Sequence, residues 1–483
     1  MFVRLFYNTV KKIMKNLLFL LTIILIYSFS YSQNNIEEYQ LSDSKKETCI
    51  ENLSIFAESA KVKNYDEAYK PWSDVKDECP DLNLAIYTYG ERILKSKIKN
   101  AKPEDIDGFK NQLIELYDQW LIHFPSKRGI SVVGDILSSK AQSMIDYQVG
   151  SQNEVYQEFD KAFTTDSKSF TNPKRLYNYF KTLYNIYKKS NNISTEKLFE
   201  KYEEVSEKFE LESKNLAKKL DVIIKKEQSG EVLNSKDLKR KRIYDVNSNA
   251  ISIFLSNLDA IISKESSCDN LIPLYQRNFE QNKGDILWLN RAASRMDAKE
   301  CSDDPLFVKL VEQLHSLEPS ANSAYYLGLL NDKQGNSSQA LKYYEESIKL
   351  EIDPYKKAKI LYKIALKFKS TGRKSTSRNY AFQALKHQPS LGKAYLLIAN
   401  LYASSANDCG NSQFEKRSVY WLAAETARKA SRVDASVKKL AIKTAQSYEG
   451  RAPSKTDIFT EGNEGKLIQF SCWISRSVKV PTL

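Results

Sequence analysis

Residues 319–389 decide the fold, and they read PSANSAYYLGLLNDKQGNSSQALKYYEESIKLEID followed by PYKKAKILYKIALKFKSTGRKSTSRNYAFQALKHQP. With Ala321 and Ala358 taken as first positions, the same kinds of residue recur in two consecutive units. Small residues occupy positions 8, 15 and 27 of each unit, namely Gly328, Gly335 and Ser347, then Ala365, Gly372 and Ala384. Small residues at matched places let two antiparallel helices approach closely, so the stretch predicts two helical hairpins laid end to end.

This pattern resembles the tetratricopeptide repeat (TPR). The resemblance implies an all-α fold, a TPR-like helical-hairpin solenoid, and an activity that consists of holding other molecules. Near the end of the chain the apolar spacing changes to every second residue, at Ile468, Phe470, Cys472 and Ile474, then Val478 and Val480. Alternation of this kind predicts a short C-terminal β-hairpin, which needs to pack on the last helices as a cap because a lone hairpin is marginal in water.

The composition is that of a folded, charge-coated helical protein. Of the 483 residues, 42% are apolar, 11% aromatic and 28% charged, and there are only 15 glycines and 12 prolines. These values exclude a disordered chain and fit long helices with few turns. The formal net charge of +13 includes four positive charges in the first 32 residues. The remaining excess is mild and typical of lysine-rich solvated helix faces, so no nucleic-acid partner is expected.

Residues 1–32 have the order of a secretory signal. Three lysines precede an apolar run over residues 17–27, and small residues follow up to Ser32. The run is shorter than the roughly 20 residues that a membrane-spanning helix needs, so we expect cleavage after Ser32. A retained membrane anchor is the alternative. No later segment is apolar enough to span a bilayer, and we expect the mature chain in the periplasm, with association with the outer membrane left open.

Export would let the six cysteines pair, because disulfides persist in an oxidising compartment. If Cys49 is position 1 of the first hairpin, Cys79 falls near its end, and the two ends of an antiparallel hairpin lie side by side. Cys268 and Cys301 have nearly the same separation as Cys49 and Cys79, which leaves Cys409 and Cys472 as the third pair. The predicted disulfides are Cys49 to Cys79, Cys268 to Cys301 and Cys409 to Cys472. Six cysteines allow fifteen pairings, so the scheme is a hypothesis.

The helical period divides the rest of the chain into segments. After the signal we predict a polar leader (33–48), N-terminal degenerate TPR-like repeats (49–228), a basic connector (229–242), a C-terminal TPR array (243–450) with an inserted loop (404–417), and a cap (451–483). A continuous coiled coil over residues 129–230 is less favoured, because the apolar spacing is not a strict heptad. The connector is read as a solvated hinge, with a basic nucleic-acid or glycan site as the alternative.

Further motifs narrow the resemblance. They are LEPSA at 317–321, Cys409-Gly410 followed by FEKR at 414–417 and VYW at 419–421, and CWI at 472–474. Together they are similar to a family of exported TPR proteins of Bacteroidetes-type bacteria, over roughly residue 268 to the C-terminus. The resemblance implies a location and a fold, and it implies no chemistry.

No motif for catalysis is present. The sequence lacks a Gly-rich phosphate loop, GxSxG, HExxH and an EF-hand loop. It also has no CxxC pair, and its three histidines, His123, His315 and His387, stand in different repeats. We therefore predict no enzymatic activity, no cofactor and no metal.

What remains is surface. In TPR-like repeats the first helix of each unit lines the concave face. The predicted partner-binding residues there are Asn322, Tyr325, Leu329, Tyr362, Leu366, Lys369, Lys393, Leu396 and Asn400. They would suit a peptide or helix of another envelope or exported protein. A different interpretation, that they pack against neighbouring helices, stays open. The alternative function is binding of envelope glycan or peptidoglycan, with Trp421 and Trp473 as platforms.

Overall fold

The computed structural model describes residues 43–190 and 192–483. The predicted signal and the first part of the predicted leader lie outside the described residues. Contacts divide the chain into two compact units, one ending at Pro125 and one beginning at Ser126. The described part of the first unit contains α1 (Asp43–Lys61), α2 (Tyr65–Glu78), α3 (Ala85–Asn100) and α4 (Pro103–His123).

The second unit begins with a two-residue ribbon, β1 (Ser126–Lys127) and β2 (Ile130–Ser131). Six helices follow: α5 (Val133–Tyr147), α6 (Gln152–Asp166), α7 (Pro173–Lys189), α8 (Thr195–Gln228), α9 (Ser235–Ile262) and α10 (Cys268–Asn282). The array then comprises α11 (Ile286–Ala298), α12 (Pro305–Leu317), α13 (Ala321–Lys333), α14 (Ser337–Leu350), α15 (Pro354–Ser370), α16 (Lys374–His387), α17 (Gly392–Ala403) and α18 (Gln413–Val433). The chain ends with α19 (Lys438–Glu449), α20 (Lys455–Glu461), β3 (Leu467–Phe470) and β4 (Arg476–Lys479).

The predicted helical hairpins are confirmed. Where two helices approach closely, a glycine on one packs against a large aromatic ring on the other. A Cβ added to Gly328 would lie 2.5 Å from the ring of Tyr344. In the first unit, a Cβ on Gly90 would lie equally close, 2.5 Å, to Trp72, whose ring nitrogen donates to the Ile86 carbonyl at 2.7 Å. Both rings are fully buried, so backbone approach and ring burial depend on each other.

The C-terminal cap is confirmed as a two-stranded antiparallel ribbon with Leu467 opposite Lys479 and Phe470 opposite Arg476. Its inward side chains join a core that includes residues of α17, α18 and α19. These inward residues are Ile468, Phe470, Ile474, Val478 and Val480. The ribbon therefore covers the end of the array as predicted.

All three predicted disulfides are present, with Cα–Cα distances of 6.4, 5.5 and 5.4 Å in chain order. The first joins the ends of the α1–α2 hairpin. The second joins the start of α10 to Cys301, just before α12. The third ties the loop before α18 to the C-terminal ribbon, so each bond closes a loop whose ends the helices already bring together.

Several boundaries differ from those predicted. The polar leader is helical from Asp43, and the basic connector is helical from Ser235. Residues 195–228 form one helix of 34 residues instead of short repeats. The inserted loop ends earlier, because Ser412 caps α18 by accepting from the Glu415 amide at 3.1 Å. No helix among residues 43–190 and 192–483 is long and apolar enough to cross a membrane.

Candidate functional site

The predicted partner-binding residues lie on α13, α15 and α17, the first helices of three successive hairpins. The structure separates them by exposure. Exposed to solvent are Asn322, Leu366, Lys369, Lys393 and Asn400. Half-buried are Tyr362 and Leu396, and buried are Tyr325 and Leu329.

Tyr325 and Leu329 take part in packing in this structure. Tyr325 is 6% exposed, and its ring lies 5.5 Å from that of Tyr326 and 6.0 Å from that of Tyr344. The Lys363 ammonium lies 4.9 Å from the ring centroid of Tyr325. Burial raises the pKa of Tyr325. The alternative interpretation, in which these side chains face neighbouring helices, therefore describes both of them.

The chain's own helix α8 runs along the first helices of the array, beside the predicted partner-binding residues. Near its middle, Glu207 of α8 receives two hydrogen bonds of 2.8 Å from Arg291 of α11. Further along, Glu210 pairs with Lys359 of α15 at 2.6 Å. Residues further along α8 therefore contact the first helices of later hairpins, α11 and then α15.

The last turns of α8 continue along the first helices. Lys214 pairs with Asp353, the N-cap residue of α15, at 3.0 Å. Asp221 accepts from the Ser390 amide at 2.8 Å, just before α17 begins. Burial raises the pKa of Asp221, although hydrogen bonds from Ser390 and Tyr355 oppose the shift.

Apolar contact fixes this end of α8. Leu220 and Ile224 are 4% and 1% exposed and belong to the same core as Tyr395 and Ile398 of α17. The Lys218 ammonium lies 5.8 Å from the ring centroid of Tyr355 on α15. Helix α8 therefore packs against the N-terminal ends of α15 and α17, next to residues that the sequence predicts to bind a partner.

Six of the predicted residues on α15 and α17 are exposed or half-buried. We call this region the open strip: the exposed Leu366 and Lys369 of α15, the exposed Lys393 and Asn400 of α17, and the half-buried Tyr362 and Leu396 beside them. Leu366 is 40% exposed. An exposed leucine flanked by polar groups on neighbouring helices is the arrangement that an apolar anchor of a peptide can use.

The open strip carries positive charge, because only some of the lysines near Leu366 are paired with a carboxylate. Lys363 pairs with Asp297 at 3.2 Å, and Lys367 with Asp332 at 3.6 Å. Within the described part of the chain, Lys369 and Lys393 form no salt bridge. The strip therefore favours an acidic ligand over a basic one.

Several buried polar side chains elsewhere in the second unit are hydrogen-bonded to one another. The clearest group surrounds Asp160 of α6, whose carboxylate accepts from Tyr179 and from the Lys201 ammonium, the latter at 3.1 Å. Burial raises the pKa of Asp160, but these hydrogen bonds and the Lys201 charge outweigh burial and lower it. The cluster ties α6, α7 and α8 together. No group of three His, Cys, Asp or Glu side chains suited to a metal occurs in residues 43–190 and 192–483.

Comparison with known proteins gives similarity to helical-repeat proteins. No protein-family model matches the sequence. In fold, the chain is similar to a tetratricopeptide repeat protein from Parabacteroides merdae, with 9% identity, 65% of this chain and 97% of that chain covered, and a TM-score of 0.23. It is also similar to yeast Tom70, with 13% identity, 87% and 100% covered, and a TM-score of 0.24. In sequence, it is 30% identical over 121 residues to the photosystem I assembly protein Ycf3 of Cuscuta gronovii, covering 23% of this chain and 72% of that protein.

Proposed function

Because the chain belongs to the tetratricopeptide-repeat proteins, we propose that it is a non-catalytic adaptor or scaffold that binds a partner protein. The contact surface is the open strip on α15 and α17. The observation that supports this proposal most directly is Leu366, an apolar side chain that is 40% exposed beside Lys369, which forms no salt bridge with residues 43–190 or 192–483. The partner presents an apolar side chain for Leu366 and Leu396 and a carboxylate for Lys369 or Lys393.

The proposed location is the cell envelope, and the partner is another envelope or exported protein. All six cysteines form disulfides, which persist in oxidising compartments and are rare in the cytosol. The secretory order of residues 1–32 supports the same location.

Glycan binding receives no support from the two tryptophans proposed as platforms. The Trp473 ring nitrogen donates to the Ser405 hydroxyl at 3.1 Å, and its ring lies 6.0 Å from that of Tyr402. Trp421 meets Phe414 edge to face at 5.9 Å. Both tryptophans are half-buried against the core, so packing accounts for their positions.

The test compares two matched leucines. Leu366 on the open strip and Leu341 on the second helix α14 are 40% and 39% exposed. The full chain carrying Leu366→Ala with Lys369→Glu, and a control carrying Leu341→Ala with Lys342→Glu, are used to capture proteins from solubilised envelopes. We expect one defined partner to be lost from the first variant and kept by the second. Equal capture by both variants would contradict binding at the open strip.

A further inference from the structure

Helix α9 has a buried face and an exposed face. On the buried face, Leu258 and Ile262 are fully enclosed. The Phe254 ring lies 5.5 Å from that of Tyr177 on α7, and Asp259 accepts from Tyr202 of α8. These contacts fix the rotation of α9 over residues 254–262 and leave other parts of its surface turned to solvent.

The exposed face carries a row of branched apolar side chains. Ile243, Val246 and Ile253 are 48%, 62% and 49% exposed. They are spaced three and seven residues apart, which places them on one side of an α-helix. Isolated exposed apolar residues are normal on a protein surface, whereas a row in register marks a surface that another element covers.

One end of this row is basic. Lys239, Arg240 and Arg242 are exposed, and none of them forms a salt bridge with another residue of the described chain. Their neighbour Lys241 differs, because it pairs with Glu227 of α8 at 2.6 Å. Three positive charges beside Ile243 are therefore left without an acidic partner within the structure.

The row and the charges meet at a hollow of about 330 Å³. It is lined by Lys239, Arg242, Ile243, Val246 and Asn247. Four of these residues stand at i, i+3, i+4 and i+7, the arrangement that forms the hole for one inserted side chain when two helices pack side by side. A flat surface cannot fill such a hole.

We propose that this face of α9 docks one acidic amphipathic helix of a partner protein. An apolar side chain of that helix enters the hollow between Ile243 and Val246, and Asp or Glu residues one turn away pair with Lys239 and Arg242. The exposed positive charges of Lys239, Arg240 and Arg242 beside the apolar row favour this occupant over a neutral or basic helix. A lipid bilayer fits less well, because the exposed Asn247 and Asn249 amides would lose their water partners in lipid.

This proposal is independent of the open strip, which lies on other helices. The variant Arg242→Glu with Val246→Glu changes the hollow. A matched control, Lys439→Glu with Leu440→Glu, makes the same change in charge on exposed residues of α19. Circular dichroism and the unfolding midpoint show whether both variants keep the fold.

The probe is a labelled synthetic helix of Glu and Leu, with leucine at alternating three- and four-residue spacing, titrated against the full chain by fluorescence anisotropy. We expect the α9 variant to bind at least tenfold more weakly than the wild type and the α19 control to bind equally well. A peptide of the same composition in scrambled order should bind weakly to all three. Equal binding by the two variants, or equal binding of the ordered and scrambled peptides, overturns the proposal.

Two further measurements separate other occupants. If the α9 variant alone loses binding to vesicles containing anionic phospholipid and keeps peptide binding, the face is a membrane surface and the proposal is wrong. If light scattering shows that the wild type is a dimer and the α9 variant a monomer, the occupant is a second copy of the chain, which also overturns it.

Discussion

Two helical hairpins of the same compact unit are held together in different ways. In α13–α14, Gly328 lies directly against the Tyr344 ring, and the contact is dry. In α8–α9, ion pairs join the helices, among them Lys241 with Glu227 at 2.6 Å and Lys226 with Asp237 at 2.9 Å. The short hairpin depends on one close fit, and the long hairpin depends partly on charges that water can replace.

Comparing the two hairpins indicates which contacts contribute most to the free energy of unfolding. Filling the space around a buried ring contributes several kcal/mol at one position, whereas an exposed ion pair contributes about 0–1 kcal/mol. The repeats should therefore be sensitive to single changes, and the long hairpin should tolerate most of them. The exception is a charge that is itself buried.

The largest effect should come from removing the ring that closes the short hairpin. Tyr344 is 1% exposed and lies 6.3 Å from Phe368 as well as against Gly328. We expect Tyr344→Ala to lower the free energy of unfolding by about 3–5 kcal/mol, measured by urea unfolding. The neighbouring half-buried Tyr343→Ala should cost much less. Equal losses of unfolding free energy in the two variants would mean that burial of the ring does not decide the cost of its removal from α14.

A buried charge at the contact between α11 and α8 should come next. The Arg295 side chain is 3% exposed, contacts Glu203 of α8, and lies 4.4 Å from the Tyr202 ring centroid. Burial lowers the pKa of Arg295 to about 10, so it stays charged at neutral pH. Glu203→Ala leaves this guanidinium without its carboxylate and should cost about 3 kcal/mol, read from the same urea curves.

The control for Glu203 lies one turn along α8. Glu207 pairs with Arg291, and the two side chains are 51% and 20% exposed. Glu207→Ala should cost about 1 kcal/mol or less, because water replaces the lost pair. A cost at Glu207 as large as that at Glu203 would mean that burial does not decide the strength of these contacts.

Gly328→Ala should have an intermediate effect of about 1–3 kcal/mol, because the added methyl overlaps the Tyr344 ring and one helix must shift. The control is Gly284→Ala, where an added Cβ meets nothing within 4 Å. Thermal unfolding of both variants checks the prediction. An unchanged melting temperature for Gly328→Ala would show that the two helices can separate slightly without loss.

The smallest effect concerns pH at the end of α8. Burial raises the pKa of Asp221 above its ordinary value of 3.8. The folded state then holds more protons than the unfolded chain, so stability falls as the pH rises through the interval between the two pKa values. Asp221→Asn removes this loss, and its stability relative to the wild type should improve as the pH rises from about 4.

Asp353 should change stability with pH in the opposite direction. Burial raises its pKa, but hydrogen bonds from Lys214 and from backbone amides outweigh burial and lower it below 3.8. Asp353→Asn should therefore be less stable than the wild type at pH 7, and the deficit should shrink as the pH falls below about 4. Urea midpoints of both variants across this range test the pair. Curves of the same sign would contradict the assignment of the two shifts.

The sequence predicts the short hairpin because its close fit depends on residues only 16 apart, Gly328 and Tyr344. Two disulfides were predicted for a similar reason, since Cys49 and Cys79 are 30 residues apart and Cys268 and Cys301 are 33 apart, about the length of one hairpin. The third pair, 63 residues apart, was predicted only as the remaining one. The length of α8 also had a signal: residues 195–228 contain neither glycine nor proline, and Ser194 accepts from the Lys197 amide as its cap.

The packing of α8 against the first helices had no such signal. Lys359 and Glu210 are 149 residues apart, and the chain offers many lysines and glutamates whose pairing would differ little in energy. The orientation of Tyr325 is equally hidden, because a tyrosine at that position suits either a groove or the interface with the next helix. Partner-binding residues were therefore predicted on a surface that is only partly open.

The hairpins and the C-terminal ribbon were predictable from the sequence, because each rests on spacing between residues that the local fold brings together, whereas the pairing of the six cysteines was a hypothesis that the structure confirms. Only the tertiary structure decided which parts of the first helices stay open, and that α9 turns its basic, apolar face outward. The physical reason is that exposure belongs to a surface and to whatever distant segment lies on it. The spacing of residues along one helix shows which side chains share a face, but it does not show which distant segment covers that face.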